Sequence, residues 1–166
     1  EAVARALAAL ARRHNVLRAR FPARRGVARV EILPEALPAL ACDDLSALPP
    51  EAREAALERL REDAAAAPFD LQRAPPWRAR LVRLGPDEHL LLLTLHHILA
   101  DEASFGVILA ELSAAPADPP PPLPVQYADF AAWQRGLALE GQRAYWRRQL
   151  DGAPAETPLP ADRPRP

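Results

Sequence analysis

The run Leu90-Leu91-Leu92-Leu93-Thr94-Leu95 constrains this chain more than any other stretch. It follows the turn signal Gly85-Pro86-Asp87 and reads as a short, fully buried strand. Directly after it come His96-His97-Ile98-Leu99-Ala100-Asp101-Glu102-Ala103-Ser104. Strand side chains alternate between faces, so two histidines continuing the strand look into opposite layers, and only one enters a given cavity. Asp101 is placed to accept backbone N–H groups and open a helix. That helix, expected from about Ala103 to Ser113, carries Phe105, Ile108, Leu109 and Leu112 at the spacing of a buried stripe. A titratable imidazole therefore stands where a buried strand ends, with a carboxylate one turn away. Such a place suits acid–base chemistry near neutral pH. A histidine at a strand end is also often a hydrogen-bonded polar group of the core, and spacing alone leaves both readings open.

The rest of the chain supplies neighbours for this stretch. Trp77, Ala79 and Leu81 alternate with Arg78 and Arg80, a strand with one polar face that forms an antiparallel hairpin with the leucine run. Val3, Leu7 and Leu10 put a helix over residues 1–13, already in progress where the sequence opens, as in an excerpt of a longer protein. Val16 to Phe21 and Val27 to Leu33 read as two strands joined by Pro22-Ala23-Arg24-Arg25-Gly26. Residues 34–50 read as loop, punctuated by four prolines. Pro50-Glu51 opens a helix to about Ala67, with Leu57 and Leu60 facing in. Pro116 to Pro124 holds six prolines and reads as an extended, semi-rigid connection. After it, Phe130, Trp133 and Leu137 mark a helix burying aromatics, and Tyr145, Trp146, Gln149 and Leu150 mark a second helix capped at Asp151-Gly152. The tail to Pro166 is proline-rich and irregular.

Several function classes fall away on composition. The net charge of −1 supports neither nucleic acid nor a membrane surface as partner. No apolar run approaches the length of a membrane span, and the opening Glu1-Ala2-Val3-Ala4-Arg5 is not a signal peptide. One cysteine, Cys42, permits neither a disulfide framework nor a cysteine zinc site. Beside Asp43 and Asp44 it reads as a small, buried or half-buried residue rather than a reactive thiolate. The adjacent histidines diverge on a strand, with Asp101 the only obvious further ligand, so no metal is expected. No nucleophile elbow and no glycine-rich phosphate loop occur. Ser104 reads as a partner in hydrogen bonding at the helix start. Arg13, Arg18, Arg78 and Arg163 are the candidates for pairing acids.

Several short motifs then line up in one order: Arg13-His14-Asn15-Val16-Leu17-Arg18, Pro68-Phe69-Asp70-Leu71, Trp77-Arg78-Ala79-Arg80-Leu81, His96-His97-x-x-x-Asp101, Gln126-Tyr127-Ala128-Asp129-Phe130 with Trp133, Tyr145-Trp146, and Leu159 to Pro166. Together they resemble the N-terminal half of a condensation domain of nonribosomal peptide synthetases. The resemblance implies an α/β fold of the chloramphenicol acetyltransferase type, here its N-terminal subdomain: a mixed sheet covered by helices. It implies a division into residues 1–114 as an α/β lobe, 115–125 as a Pro-rich linker, and 126–166 as C-terminal helices and a tail leading to a second lobe. It implies amide formation between a donor acyl or peptidyl thioester and an aminoacyl thioester. Both ride on the 4′-phosphopantetheine arms of carrier proteins; no cofactor is bound directly. The implied partners are the two carrier domains, an adjacent adenylation domain and the second half of the same domain, in the cytoplasm. His97 matches the catalytic position, where an imidazole can take the proton of the incoming ammonium. His96 and Asp101 match structural positions, with Asp101 expected to pair with an arginine. Other readings within reach are an acyltransferase using a free or coenzyme A-linked substrate, and a degenerate module that docks partner proteins.

Two departures from the family pattern stand out. Glu102 replaces the glycine that usually follows the aspartate. Facing His97, its carboxylate would raise that histidine's pKa; facing solvent, it would only favour the helix dipole. The chain also stops where the second half of the family's fold begins, so residues 1–166 alone are expected to be inactive.

Overall fold

In the computed structural model, residues 1–73, 75–114 and 121–154 are described. They divide into two compact units, Glu1–Asp129 and Phe130–Pro166. The motif at Leu159 to Pro166, which includes Arg163, and the Pro-rich stretch at 115–120 lie outside the described residues.

The first unit opens with α1 (Ala2–Arg13), an alanine-rich helix with Leu7, Leu10 and Ala11 buried at i, i+3 and i+4. Arg12 and Arg13 occupy its last turn, where cations suit the dipole, and the His14 N–H closes it on the Leu10 carbonyl at 2.9 Å. The expected strand at Val16–Phe21 is mostly a 3-10 turn, Asn15–Arg18, leaving only β1 (Ala19–Arg20). The reason is Arg18. Its guanidinium donates to the carbonyls of Ala11 and Pro34 at 3.0 Å each, and to Asn15 Oδ1 at 2.6 Å. These bonds hold the chain wound while Leu17 is buried in the core.

The second expected strand is likewise broken into pieces. β2 (Ala23–Arg24) and β3 (Val27–Ala28) form a hairpin, and β4 (Glu31–Ile32) pairs antiparallel with β1. Arg25 and Gly26 both have positive φ, +52° and +77°, the backbone that a two-residue hairpin turn requires.

The segment read as loop contains a strand, β5 (Leu40–Asp44). It runs parallel to β6 (Trp77–Arg83), with α2 (Pro50–Ala66) as the crossover between them. Leu-Ala-Cys-Asp-Asp has no β-branched residue to announce a strand. Its place on the sheet comes from β6, whose Arg80 and Arg83 reach Asp43 at 2.7 Å and Asp44 at 3.3 Å. Cys42, expected to be at least half-buried, is exposed, because β5 is an outer strand.

β6 pairs antiparallel with β7 (His89–Leu95), as the hairpin reading required, giving a mixed three-stranded sheet in the order β5-β6-β7. β7 is not fully buried. It is an outer strand, half-buried from Leu90 to Leu95. Its leucines serve both faces. Leu93 and Leu95 pack on the core opposite Ala79 and Trp77, while Leu92 and Thr94 lie opposite Arg80 and Arg78. The core joins α1, the 3-10 turn, β6 and α3 (Glu102–Ala114) through Leu7, Leu10, Leu17, Trp77, Leu99 and Ile108. Trp77 is buried with its Nε1–H donated to the Leu17 carbonyl at 2.8 Å, so its polar atom is satisfied.

α3 buries a narrower stripe than expected. Ile108 is buried and Leu112 packs beside it, whereas Phe105 and Leu109 are exposed, Leu109 by 57%. Apolar residues surround this helix, so the sequence does not mark one face. α4 (Tyr127–Arg135) and α5 (Glu140–Gln149) bury none of their aromatics. Phe130 lies tilted against Trp133, and Tyr145 meets Trp146 edge-on, but two helices of nine and ten residues enclose no interior of their own. No helix among the described residues is long and apolar enough to cross a membrane.

Candidate active site

The strand stops at Leu95, so His96 and His97 do not extend it. The His96 N–H donates to the Pro76 carbonyl at 3.0 Å, and its own carbonyl accepts the Leu99 N–H at 2.9 Å. The chain turns over residues 96–99. Leu99 plugs the turn into the core and His97 is left exposed. The His96 ring is half-buried, stands edge-on to Phe69 at 6.1 Å and 82°, and takes the Ile98 N–H on Nδ1 at 3.0 Å. A turn, rather than strand alternation, gives the two histidines different surroundings.

Asp101 then starts α3. Its Oδ1 accepts the Ser104 N–H at 2.9 Å and the Ser104 hydroxyl at 2.6 Å, and its own N–H donates to Ser104 Oγ at 3.2 Å. This reciprocal cap satisfies donors that the first helical turn leaves without partners. The Ser104 hydroxyl, then its amide, hold the Asp101 carboxyl below the usual carboxylate range against a smaller desolvation effect, with His97 adding a weak electrostatic pull. Asp101 is therefore an anion at neutral pH, and Ser104 spends its proton on it. Among the described residues Asp101 bonds to Ser104 and forms no ion pair with an arginine, and Arg163, one of the candidate arginines, lies outside them. Glu102 sits exposed in the first turn of α3 and does not line the cavity described next.

His97, Asp101 and Ser104 border a cavity of about 330 Å³ in the first unit, with walls from Leu17, Val107 and Ile108. His14 and Tyr127 face the same space. His14 Nε2 lies 3.0 Å from Glu111 Oε2 on α3, and Arg13 Nε is 3.2 Å from the other carboxylate oxygen. Gln126 fastens this wall: its Nε2 donates to the Arg13 carbonyl at 2.9 Å and its Oε1 accepts the Asn15 N–H at 3.0 Å.

Of the arginines singled out, Arg13 pairs with an acid, Arg18 binds carbonyls, and Arg78 binds carbonyls and covers Phe69. Sequence reasoning did not single out as site residues Tyr127 and Val107, which line the cavity, or Glu111, which pairs with His14 at its wall. For Glu111 the available signal was its position seven residues after Ser104, on the same helical face. Among the described residues no three His, Cys, Asp or Glu side chains gather to hold a metal ion. The arrangement offers one accessible imidazole beside a mainly apolar cavity, with the neighbouring Asp101 carboxylate bonded to the amide and hydroxyl of Ser104.

The family described as "Condensation domain" matches residues 1–166. Phosphinothricin tripeptide synthetase PhsC of Streptomyces viridochromogenes is 46% identical across all of this chain, which spans 16% of that protein. Malpibaldin synthetase of Mortierella alpina is 42% identical over 100% of the chain and 3% of its own length. Among solved structures, the X-domain from teicoplanin biosynthesis superposes with a TM-score of 0.84 at 34% identity, covering 99% of this chain and 38% of that one. The condensation domain that mediates chain release from the enacyloxin polyketide synthase gives 0.75 at 38% identity, covering 92% and 32%. The chain thus spans a small part of the synthetases and about a third of the solved chains.

Proposed function

This chain belongs to the condensation-domain family, and from that membership we propose that it carries the proton-accepting wall of an acyltransferase that joins two carrier-bound substrates through an amide bond. The donor is an acyl or peptidyl thioester and the acceptor an aminoacyl thioester, each on the phosphopantetheine arm of its own carrier. The acceptor nitrogen attacks the donor carbonyl carbon, a C–N bond forms, and the C–S bond breaks. The freed thiol stays on the donor carrier, and the lengthened chain rests on the acceptor.

His97 takes the proton that the amine loses and returns it to the departing sulfur. His96, Asp101 and Ser104 hold the backbone on either side of it. Glu102 is a solvent-facing substitution without a part in the chemistry. The single observation that carries the reading is the exposed His97 side chain at the edge of the cavity between the 3-10 turn and α3. The apolar lining supports an acceptor delivered on a flexible arm rather than a free, strongly hydrated amino acid. The N-terminal lobe runs over residues 1–114 and continues through 115–125 to the segment 126–166. An adenylation domain and the second lobe are the remaining partners, and the compartment assigned is the cytoplasm.

The test is to mix the intact protein with one donor-loaded and one acceptor-loaded carrier and weigh the carriers by mass spectrometry. The expected result is the condensed chain on the acceptor carrier and a free thiol on the donor. Transfer only from coenzyme A, or only to a free amine, would replace this assignment.

A further inference from the structure

Three side chains behind the 96–99 turn form a stack that the chemistry proposed above does not use. Arg78 stands on β6 opposite Thr94, on the sheet face away from Trp77 and Ala79. Its guanidinium is pinned where α2 ends, donating from Nη1 to the Ala67 carbonyl at 2.9 Å and from Nη2 to the Pro68 carbonyl. So held, the Arg78 Cζ lies 3.9 Å from the centroid of the Phe69 ring, an in-range cation–π contact. Phe69 in turn meets the His96 ring edge-on. The Nδ1 of that ring accepts the Ile98 N–H, the amide directly after His97. Accepting on Nδ1 fixes which ring edge faces the backbone and, in the neutral ring, leaves the proton on Nε2. Each contact limits the freedom of the next, from the end of α2 to the residue that follows His97.

We propose that Phe69 and Arg78 are positioning residues, bracing the His96 ring so that its bond to the Ile98 amide holds the turn that presents His97 to the cavity. Neither residue touches that cavity, so their effect is on the orientation of His97 rather than on substrate affinity. A group of this kind loses rate when its bracing is removed, because small displacements of a reacting group are costly. The kinetic part rests on the assignment of proton transfer to His97, whereas the bracing itself is read directly at the Ile98 amide.

The experiment compares Phe69→Leu, Phe69→Tyr and Arg78→Gln in the intact protein by amide hydrogen exchange at Ile98 and by steady-state condensation with loaded carriers. In Phe69→Leu and Arg78→Gln, exchange at Ile98 is expected to quicken about tenfold, the equivalent of losing one hydrogen bond. In the same variants kcat is expected to fall about 10-fold to 100-fold with KM for the loaded carriers unchanged. Phe69→Tyr keeps the ring and restores both readings. If Phe69→Leu does not fold, Arg78→Gln, at a half-buried position, carries the same expectations. Unchanged Ile98 exchange in the folded variants, or equal losses in Phe69→Leu and Phe69→Tyr, would overturn the proposal. Faster Ile98 exchange at an unchanged kcat would uphold the bracing and instead remove proton transfer from His97.

Discussion

Asp101 and Ser104 make a self-contained pair: one carboxylate, one hydroxyl and two amides exchange three hydrogen bonds at the start of α3. Because the two bonds that Ser104 donates to the carboxylate favour the anion, the folded-state pKa of Asp101 lies below its ordinary value of 3.8. The stabilisation is thus fully present above the unfolded-state pKa and disappears as pH falls through the lower, folded-state one. Ser104→Ala is expected to bring the Asp101 pKa back toward the ordinary value and to flatten the acid limb of stability. Denaturant unfolding across acidic pH reads the second effect, and an acid limb identical to that of the parent would count against the cap. Glu102 is exposed beside this pair and away from the cavity. Glu102→Gly in the intact protein should leave condensation turnover within about twofold, as for a surface change away from the chemistry; a large gain would show the carboxylate acting on His97. At this scale the sequence was informative where a residue's partner was close along the chain. Asp101 and Ser104 are three apart and could be read. Glu111 pairs with His14 across 97 residues and could not.

At the scale of elements, local pattern revealed α1, α2 and the β6–β7 hairpin, whose signals lie within a few residues of one another. It failed where partners are remote. β5 is a strand because β6 offers it backbone bonds and arginines, not because Leu-Ala-Cys-Asp-Asp favours one. The 3-10 turn at Asn15–Arg18 replaces a strand because Arg18 reaches carbonyls at Ala11 and Pro34. α3 offers the sharpest test of the corrected packing, since Ile108 and Leu109 are neighbours with opposite surroundings. Ile108→Ala is expected to destabilise the fold by about 2–4 kcal/mol, as truncation in a packed core does. Leu109→Ala should change stability by no more than about 0.5 kcal/mol. Urea midpoints for the two variants decide between the observed stripe and the wider one that the sequence suggests; equal losses would favour the wider stripe.

The whole molecule divides into two compact units, and among the described residues the cavity beside His97 belongs to the first. Family membership was legible because short motifs recur in a fixed order along nearly the entire chain, a signal that survives errors about individual strands. The chain spans about a third of the solved condensation-type structures that it matches. Residues 1–166 on their own are therefore expected to give no condensed product from loaded carriers, and turnover by that piece would show the site to be complete without further chain. The exposed imidazole at position 97 is the group proposed to carry the proton transfer. Its most direct test is amide formation by the intact protein with His97→Ala, with binding of both loaded carriers measured on the same preparation. Product formation is expected to fall by about 100-fold or more while carrier binding is unchanged. Product formation at the parent rate would contradict it.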